Sequence, residues 1–505
     1  MSVFSLNRTT TGALDVDALA AETRAHDWSL LIGGELVRAM GGARYGNLSP
    51  VTGEVIADVP DADASDVEAA VTAAQKAFPA WAATPLRERV AIVRRIATRL
   101  REHAVELGAL DTLDGGNIVR LSTSDVHSGA AMLEYFADSS AALAGETVPL
   151  EPDALHYTVR QPIGVVARII PYNHPIMFAA GKIAAPLVAG NCVLLKPPHQ
   201  TPLSALLLGE LVADLLPAGV LSIITGQGPA TGEAVVRHPA IRRIAFIGSA
   251  ATGLKIQQAA AETGVKQISL ELGGKNAMVA FPDADPVAVA KSVVGGMNFA
   301  WAGQSCGSTT RLVVHEDSRD RVVEEILRLV GALRVGDPFD ESTDVGALVS
   351  HDQFAKVTRY LDIAKGDGAT LLAGGVSAEI PERPGALVVR PTVYGDVEPG
   401  MRIATEEVFG PILSVLTFRG EDEGVRIANS VEYGLTASVW TDDLRRAHRV
   451  AARLEAGYVW INDSSRHFPG TPFGGVKSSG LGREECAEEL ISFTETKVVH
   501  LNFHS

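Results

Sequence analysis

The sequence predicts an α/β protein with a parallel-sheet domain, a second α/β domain and two strand-like pieces outside both. Three observations carry that expectation. Between residues 164 and 272, five short apolar runs alternate with helical segments, the pattern of a parallel sheet covered on both faces. After Gly274 a second alternation of the same kind begins. Two strand-like stretches, 146–162 and 496–503, belong to neither series. With 505 residues the chain is long enough for several domains. Its 49 glycines favour tight turns and close backbone approaches.

The elements follow in order. The N-terminal stretch reads as a polar lead-in with one short helix, and residues 28–60 as short strands broken by "GGE", "SPVTGE" and "PDAD". "DASDVEAAVTAAQKAFPAW" then carries helical apolar spacing with Ser65 as N-cap. Residues 85–112 read as one long amphipathic helix. The first sheet takes strands at 164–170, 192–196, 221–225, 244–247 and 268–272, with helices at 177–189, 202–215, 229–237 and 252–263 between them. In the second series a helix at 284–299 precedes strand 311–315 and helix 318–333. Strands 411–418, 436–441 and 457–462 follow, with helices at 421–429 and 443–455. The C-terminal strand "TKVVHLNF" has an edge that invites pairing with another subunit.

Composition excludes several classes. A formal net charge of -16 argues against nucleic acid or an anionic membrane as partner. The N-terminus lacks the apolar core of a signal peptide, and no run approaches the length of a membrane span. The three cysteines, Cys192, Cys306 and Cys486, offer neither a disulfide framework nor metal-ligand spacing. No metal site is expected, and a reducing cytoplasm is the expected location.

Ligands of open parallel sheets bind at the carboxyl ends of the strands. The segments there are "PYNHP", "KPPHQTP", "GQGPATG", "GSAATG" and "GGKN". Within "GQSCGSTTR", Cys306 has small polar neighbours. It is either an inert packing thiol or a nucleophile whose pKa the surrounding amides lower. Gly303 and Gly307 would leave room for ligands to approach the sulfur. Glu271 closes an apolar strand, as a salt-bridged strand end or as a functional carboxylate. Asn173 sits between prolines, as a turn residue or an oxyanion donor. Lys196 closes a buried strand, where it could bond ribose hydroxyls or a phosphate. The two glycine-rich turns could cradle pyrophosphate, although neither has the G-x-G-x-x-G spacing. "EEVFGP" puts a carboxylate beside an aromatic face.

Taken together and in order, "PYNHP", "KIAAPLVAGNCVLLKP", "FIGSAATG", "LELGGKN", "GQSCGSTTR", "EEVFGP" and "PFGGVKSSGLGRE" resemble the aldehyde dehydrogenase superfamily from about residue 28 to the C-terminus. The nearest flavour is that of the hydrolytic, betaine-aldehyde-type members. The resemblance implies a Rossmann-type cofactor domain (1–140 and 163–273), an α/β catalytic domain (274–486) and a bridging, oligomerising sheet (141–162 and 487–505). It implies a homodimer or homotetramer.

It also implies roles. Cys306 matches the nucleophile, Glu271 the base that activates water, and Asn173 the oxyanion side chain. Pro171, Lys196, His199, Gly228, Gly248, Ser249, Gly253, Leu272, Glu407 and Phe409 match the cofactor contacts. His174, Phe178, Trp301, Ser305, His467 and Phe473 fall at or near the substrate tunnel, with Phe468 and Arg466 beside them. The implied reaction converts an aldehyde to its acid through a thiohemiacetal and a thioester on Cys306. The chain departs from the family at "KPPH", where His199 replaces a glutamate that would repel a 2′-phosphate. NAD is the expected cofactor and NADP stays open. Medium apolar or aromatic aldehydes are the expected substrates, with betaine aldehyde open through the π face of Trp301. Two alternatives remain: a CoA-acylating dehydrogenase, and a non-catalytic binding or structural protein on the same fold.

Overall fold

In the computed structural model, which describes residues 3–7 and 14–503, the five strands of the first series form one sheet. The strands Leu221–Ile223, Cys192–Lys196, Val165–Ile169, Ile241–Ile247 and Gln267–Glu271 lie side by side in that spatial order, all parallel. In chain order this is 3-2-1-4-5. The direction of winding therefore reverses between Val165–Ile169 and Ile241–Ile247, which opens a crevice at their carboxyl ends. Two antiparallel strands near the N-terminus, Leu30–Ile32 and Glu35–Val37, extend one edge. Gly480–Leu481 closes the other by pairing with Leu270 and Glu271.

The second sheet has six parallel strands and one antiparallel edge strand, Thr370–Ala373. Its centre includes Ala277–Ala280, flanked by Arg311–His315 and Thr436–Trp440. Side chains alternate across this strand. Ala277 and Val279 enter one core, and Met278 and Ala280 the other. That is the period-two burial of a strand covered on both faces. The third sheet pairs Thr494–Asn502 with Ala154–Pro162 along their whole length, and Thr147–Val148 adds a short strand.

Several boundaries differ from expectation. The N-cap of the Ala64–Ala83 helix is Asp63, not Ser65. Asp63 accepts from Ser65 N while Asp66 bonds back to Asp63 N, a reciprocal capping box. The expected single helix over 85–112 is two, Leu86–Glu102 and Ala104–Gly115, with His103 outside helical geometry between them. Ala277–Ala280 was unexpected because it directly follows a glycine pair. The helix His351–Gly366 was unexpected because its apolar stripe is diluted by charge.

Candidate active site

The site lies where the carboxyl ends of the two sheets meet. Glu271 ends its strand and is buried, and Oε1 has no hydrogen-bond partner among the described residues. Burial raises its pKa to about 8, with the Cys306 thiol drawing it partly back. Cys306 comes from the other half, on the loop before Arg311–His315, and is half-buried. Burial and then the Glu271 carboxylate push its thiol well up. This corrects the expectation of a thiol lowered by surrounding amides. Desolvation and nearby carboxylates, Glu407 and Glu485 among them, outweigh the loop's dipoles. Thiol and carboxylate, 35 positions apart in sequence, thus feel each other directly.

The loop is held from outside. Asn276 Nδ2 donates to Cys306 O at 2.7 Å and to Ser308 O at 2.9 Å, while its Oδ1 accepts from Thr436 N. Gln304 is buried, and its Oε1 accepts from Val349 N at 3.1 Å. Gly303 does not make room for ligand. Its φ is +70°, and a Cβ there would meet Gly410 O at 2.3 Å, so the glycine serves backbone packing. A Cβ on Gly307 would meet His467 Nε2 at 3.7 Å and Ser305 Oγ at 3.9 Å, so these two side chains flank the sulfur loop.

Asn173 is buried, with Oδ1 unpartnered among the described residues. Its turn is fixed from the Ala104–Gly115 helix and the residues after it. Asn117 donates to Asn173 O at 2.8 Å, and Asp111 accepts from Ile176 N at 3.0 Å, capping the Pro175–Ala189 helix. Beside it, His174 Nδ1 lies 2.8 Å from Asp125 Oδ2. The His174 ring sits 5.3 Å from Trp301 and 5.6 Å from Phe178. On the other wall, the His467 ring is 4.4 Å from Phe473, and its Nδ1 is 3.2 Å from Glu485 Oε2. Phe468 is exposed, with the Arg466 guanidinium over its ring. Behind Glu271, Lys182 pairs with Glu484 at 2.8 Å, and Arg168 pairs with Glu484 and Glu489.

The expected cofactor residues gather along the crevice. Lys196 is buried, and its ammonium bonds only the Pro197 carbonyl, with no carboxylate at ion-pair distance among the described residues. Burial lowers it to about 8. His199 is lowered by burial and then by Lys196, which keeps the imidazole neutral. It borders a cavity of about 140 Å³ with Tyr45, Asn47, Gln227 and His351. Ser249 caps the Ala250–Ala261 helix, and a Cβ on Gly253 would strike Leu272 at 2.8 Å. Gly228 (φ +71°) faces open space, and a Cβ on Gly248 would meet the Phe246 ring. Pro171 opens the turn that holds Asn173. Glu407 is half-buried and accepts from Gly274 N at 2.9 Å. Phe409 has φ +57°, held by Gln353 donating to Val408 O and Phe409 O, and packs edge-on against Tyr172 at 5.8 Å. An ammonium with no ion-pair partner among the described residues, a helix N-terminus and a half-buried carboxylate suit an anionic, ribose-bearing ligand.

Sequence reasoning missed Asn276, Asp111, Asp125, Gln353, Lys182 and Glu484. Asn276 stood in a flagged motif, and the unbroken "GGKN" was its signal. Lys182 and Glu484 also stood in quoted motifs, opening "KIAAPLVAGNCVLLKP" and closing "PFGGVKSSGLGRE", while Asp111, Asp125 and Gln353 lie outside every quoted motif and act across elements distant in sequence.

Residues 37–499 match the profile of the Aldehyde dehydrogenase family. The chain is 45% identical over 467 residues to the aldehyde dehydrogenase tropH of Talaromyces stipitatus, covering 91% of this chain and 90% of that protein. Among solved structures it resembles PnpE in complex with nicotinamide adenine dinucleotide, at TM-score 0.92 and 38% identity, covering 95% and 98% of the two chains. It also resembles the indole-3-acetaldehyde dehydrogenase AldA of P. syringae in complex with NAD+ and IAA. There the TM-score is 0.93 and the identity 36%, with 97% and 99% covered. No helix among the described residues is long and apolar enough to cross a membrane. The matched profile spans nearly the whole chain, so the chain belongs to the aldehyde dehydrogenase family.

Proposed function

We propose that the protein oxidises an aldehyde to the free acid with NAD, using Cys306 as nucleophile and Glu271 as base. The observation that carries this reading is the juxtaposition of the Cys306 thiol with the Glu271 carboxylate, delivered from different sheets. Glu271 is the carboxylate acting most strongly on the Cys306 thiol, which sets a base beside the sulfur where a thioester would form. The thiol gives its proton to solvent as it attacks. Attack forms the S–C bond of a thiohemiacetal, and the carbonyl oxygen becomes an oxyanion. Asn173, pinned through its own carbonyl, presents its side-chain amide for that oxyanion. Losing one such donor typically costs ~3 kcal/mol of transition-state stabilisation. NAD, when bound, supplies the hydride acceptor. As the C–H bond of the thiohemiacetal carbon breaks and hydride leaves, the oxyanion re-forms the carbonyl and a thioester on Cys306 results. Glu271 in its ionised form then takes a proton from water, and the hydroxide adds to the thioester carbon. The C–S bond breaks, which releases the acid and restores the thiolate.

Lys196, Ser249, Gly253, Leu272 and Glu407 hold the cofactor along the crevice. His199 sets no carboxylate of its own against a 2′-phosphate, so NAD and NADP are to be titrated in parallel. His174, Phe178, Trp301, Ser305, His467 and Phe473 form the substrate wall. Its aromatic character favours aromatic or medium apolar aldehydes, and AldA, an indole-3-acetaldehyde dehydrogenase, supports that class. The division into cofactor, catalytic and bridging segments is supported by separate cores for the first sheet and for the two faces of the second. We place the enzyme in the cytoplasm as a homodimer or homotetramer.

Rapid mixing with an aldehyde panel tests the scheme. Cys306→Ala should abolish nicotinamide reduction. Glu271→Gln should keep a burst of reduced nicotinamide and stall acid release, and an unchanged steady-state rate sinks Glu271 as base. Acyl-CoA formation that outpaces acid formation would establish the CoA-acylating alternative instead.

A further inference from the structure

We infer that His174, oriented by Asp125, is the polar specificity contact of the substrate wall, and that the aldehyde taken is an aromatic one bearing a hydroxyl group. The inference rests on the proposed function and adds to it the substrate's second functional group. Asp125 lies on the Val119–Asp138 helix and is buried, and its one hydrogen bond among the described residues is the 2.8 Å contact with His174 Nδ1. A buried carboxylate spent on one imidazole fixes the ring's orientation and places a proton on Nδ1. The two ring nitrogens face opposite sides, so Nε2 is turned away from that helix.

The ring's surroundings show where it is turned. It follows Asn173 directly and packs on Trp301, five positions before Cys306. Its side chain keeps 13% of its surface exposed. A purely structural histidine would close its second nitrogen inside the core. This one holds it in a wall whose other groups, Phe178 and Trp301, offer flat apolar faces. Such faces select a planar ring, and Nε2 is left to bond a polar substituent on it.

Charge narrows the substituent. Lys182, under the Phe178 ring, is already engaged by Glu484 and Glu485. Arg466 lies 3.7 Å from Asp463. A substrate carboxylate would therefore meet no unpaired cation among the described residues of this wall, and the Glu485 carboxylate would repel it. A hydroxyl carries no charge and can donate to or accept from Nε2, so it suits either protonation state of the imidazole. His467 is built alike, on Glu485, but its side chain is 36% exposed, where water competes for its second nitrogen.

The test compares kcat/KM for 3- and 4-hydroxybenzaldehyde with that for benzaldehyde, with 4-carboxybenzaldehyde as the charged control. The wild type should favour a hydroxylated aldehyde at least ~10-fold, since a polar group built for a partner discriminates against the analogue lacking it. His174→Phe should bring the ratio towards about 1. Asp125→Leu should lower it mainly through KM of the hydroxylated aldehyde, and Asp125→Asn, which keeps an acceptor oxygen, should retain more of it. Should His174→Phe lose turnover, calorimetric binding of 4-hydroxybenzoate against benzoate reads the same preference. A wild-type ratio near 1, or one preserved in His174→Phe, overturns the inference while aldehyde oxidation itself stands. A preference for 4-carboxybenzaldehyde that disappears in His174→Phe overturns the hydroxyl. Nicotinamide reduction that survives Cys306→Ala would instead strike the proposed function.

Discussion

In the proposed mechanism, Glu271 is the residue on which acid release turns. Burial raises its pKa to about 8, and a general base works only when deprotonated. At pH 7 about a tenth of it is ionised, so deacylation should speed up about tenfold between pH 7 and pH 9 and then level off. The check is a pH series of single-turnover acid release, and Glu271→Gln should flatten it. A rate that falls over this range would assign the base elsewhere. The same low-dielectric surroundings explain why Cys306 is not a standing thiolate. Burial and the surrounding carboxylates hold its thiol up, and no electropositive loop offsets them.

At the scale of elements, the site is held by loops that grip one another. Gly273 and Gly274 bring the strand end against Glu407 and Cys306. A Cβ on Gly273 would meet Glu407 Oε2 at 2.2 Å, and one on Gly274 would meet Cys306 O at 2.9 Å. Ser479 locks this turn from the second half of the chain. Its hydroxyl donates to Gly273 O at 2.7 Å and accepts from Gly434 N at 2.9 Å, and it is fully buried. Ser479→Ala leaves a buried carbonyl and a buried amide unpaired, which costs ~1–3 kcal/mol. Thermal unfolding should show the lower stability, and calorimetry a weaker affinity for NAD as Glu407 loses its register. An unaltered Tm would mean that other contacts hold the turn.

Across the whole molecule, two features set stability and assembly. Burial alone would raise Glu484, but Lys182 and Arg168 bring it down to about 2. A carboxylate whose folded pKa is depressed stabilises the fold above its unfolded value near 4.3, and that stability is lost as pH falls towards 2. Denaturant titrations from pH 6 to pH 2 should show this acid loss. Glu484→Gln should lower stability at pH 6 and weaken the pH dependence below 4. The Thr494–Asn502 strand leaves Val498 65% and Leu501 48% exposed on a sheet of only three strands. Such an edge calls for a partner. Val498→Lys should therefore reduce the mass measured by light scattering, and an unchanged mass would move the interface elsewhere.

The strands of the first sheet were legible from residue type alone. Cys192–Lys196 in that sheet, like Arg311–His315 in the second, stands at its expected bounds, because strands buried on both faces are continuous apolar runs that need no partner to be recognised. The motifs around Cys306, Glu271, Asn173 and Lys196 were legible for a related reason. A reactive or charged group among glycines and small residues breaks the local pattern of its own segment. Hidden from the sequence were the groups that act across elements. Asp125 and Asp111 sit on helices whose pattern is ordinary, Asn276 looked like the end of a motif, and Gly303 looked like space for a ligand. Which carboxylate meets which imidazole, and whether a thiol is raised or lowered, depends on distance and burial. Those are set by how the two sheets and their loops come together, and residue order records them only indirectly.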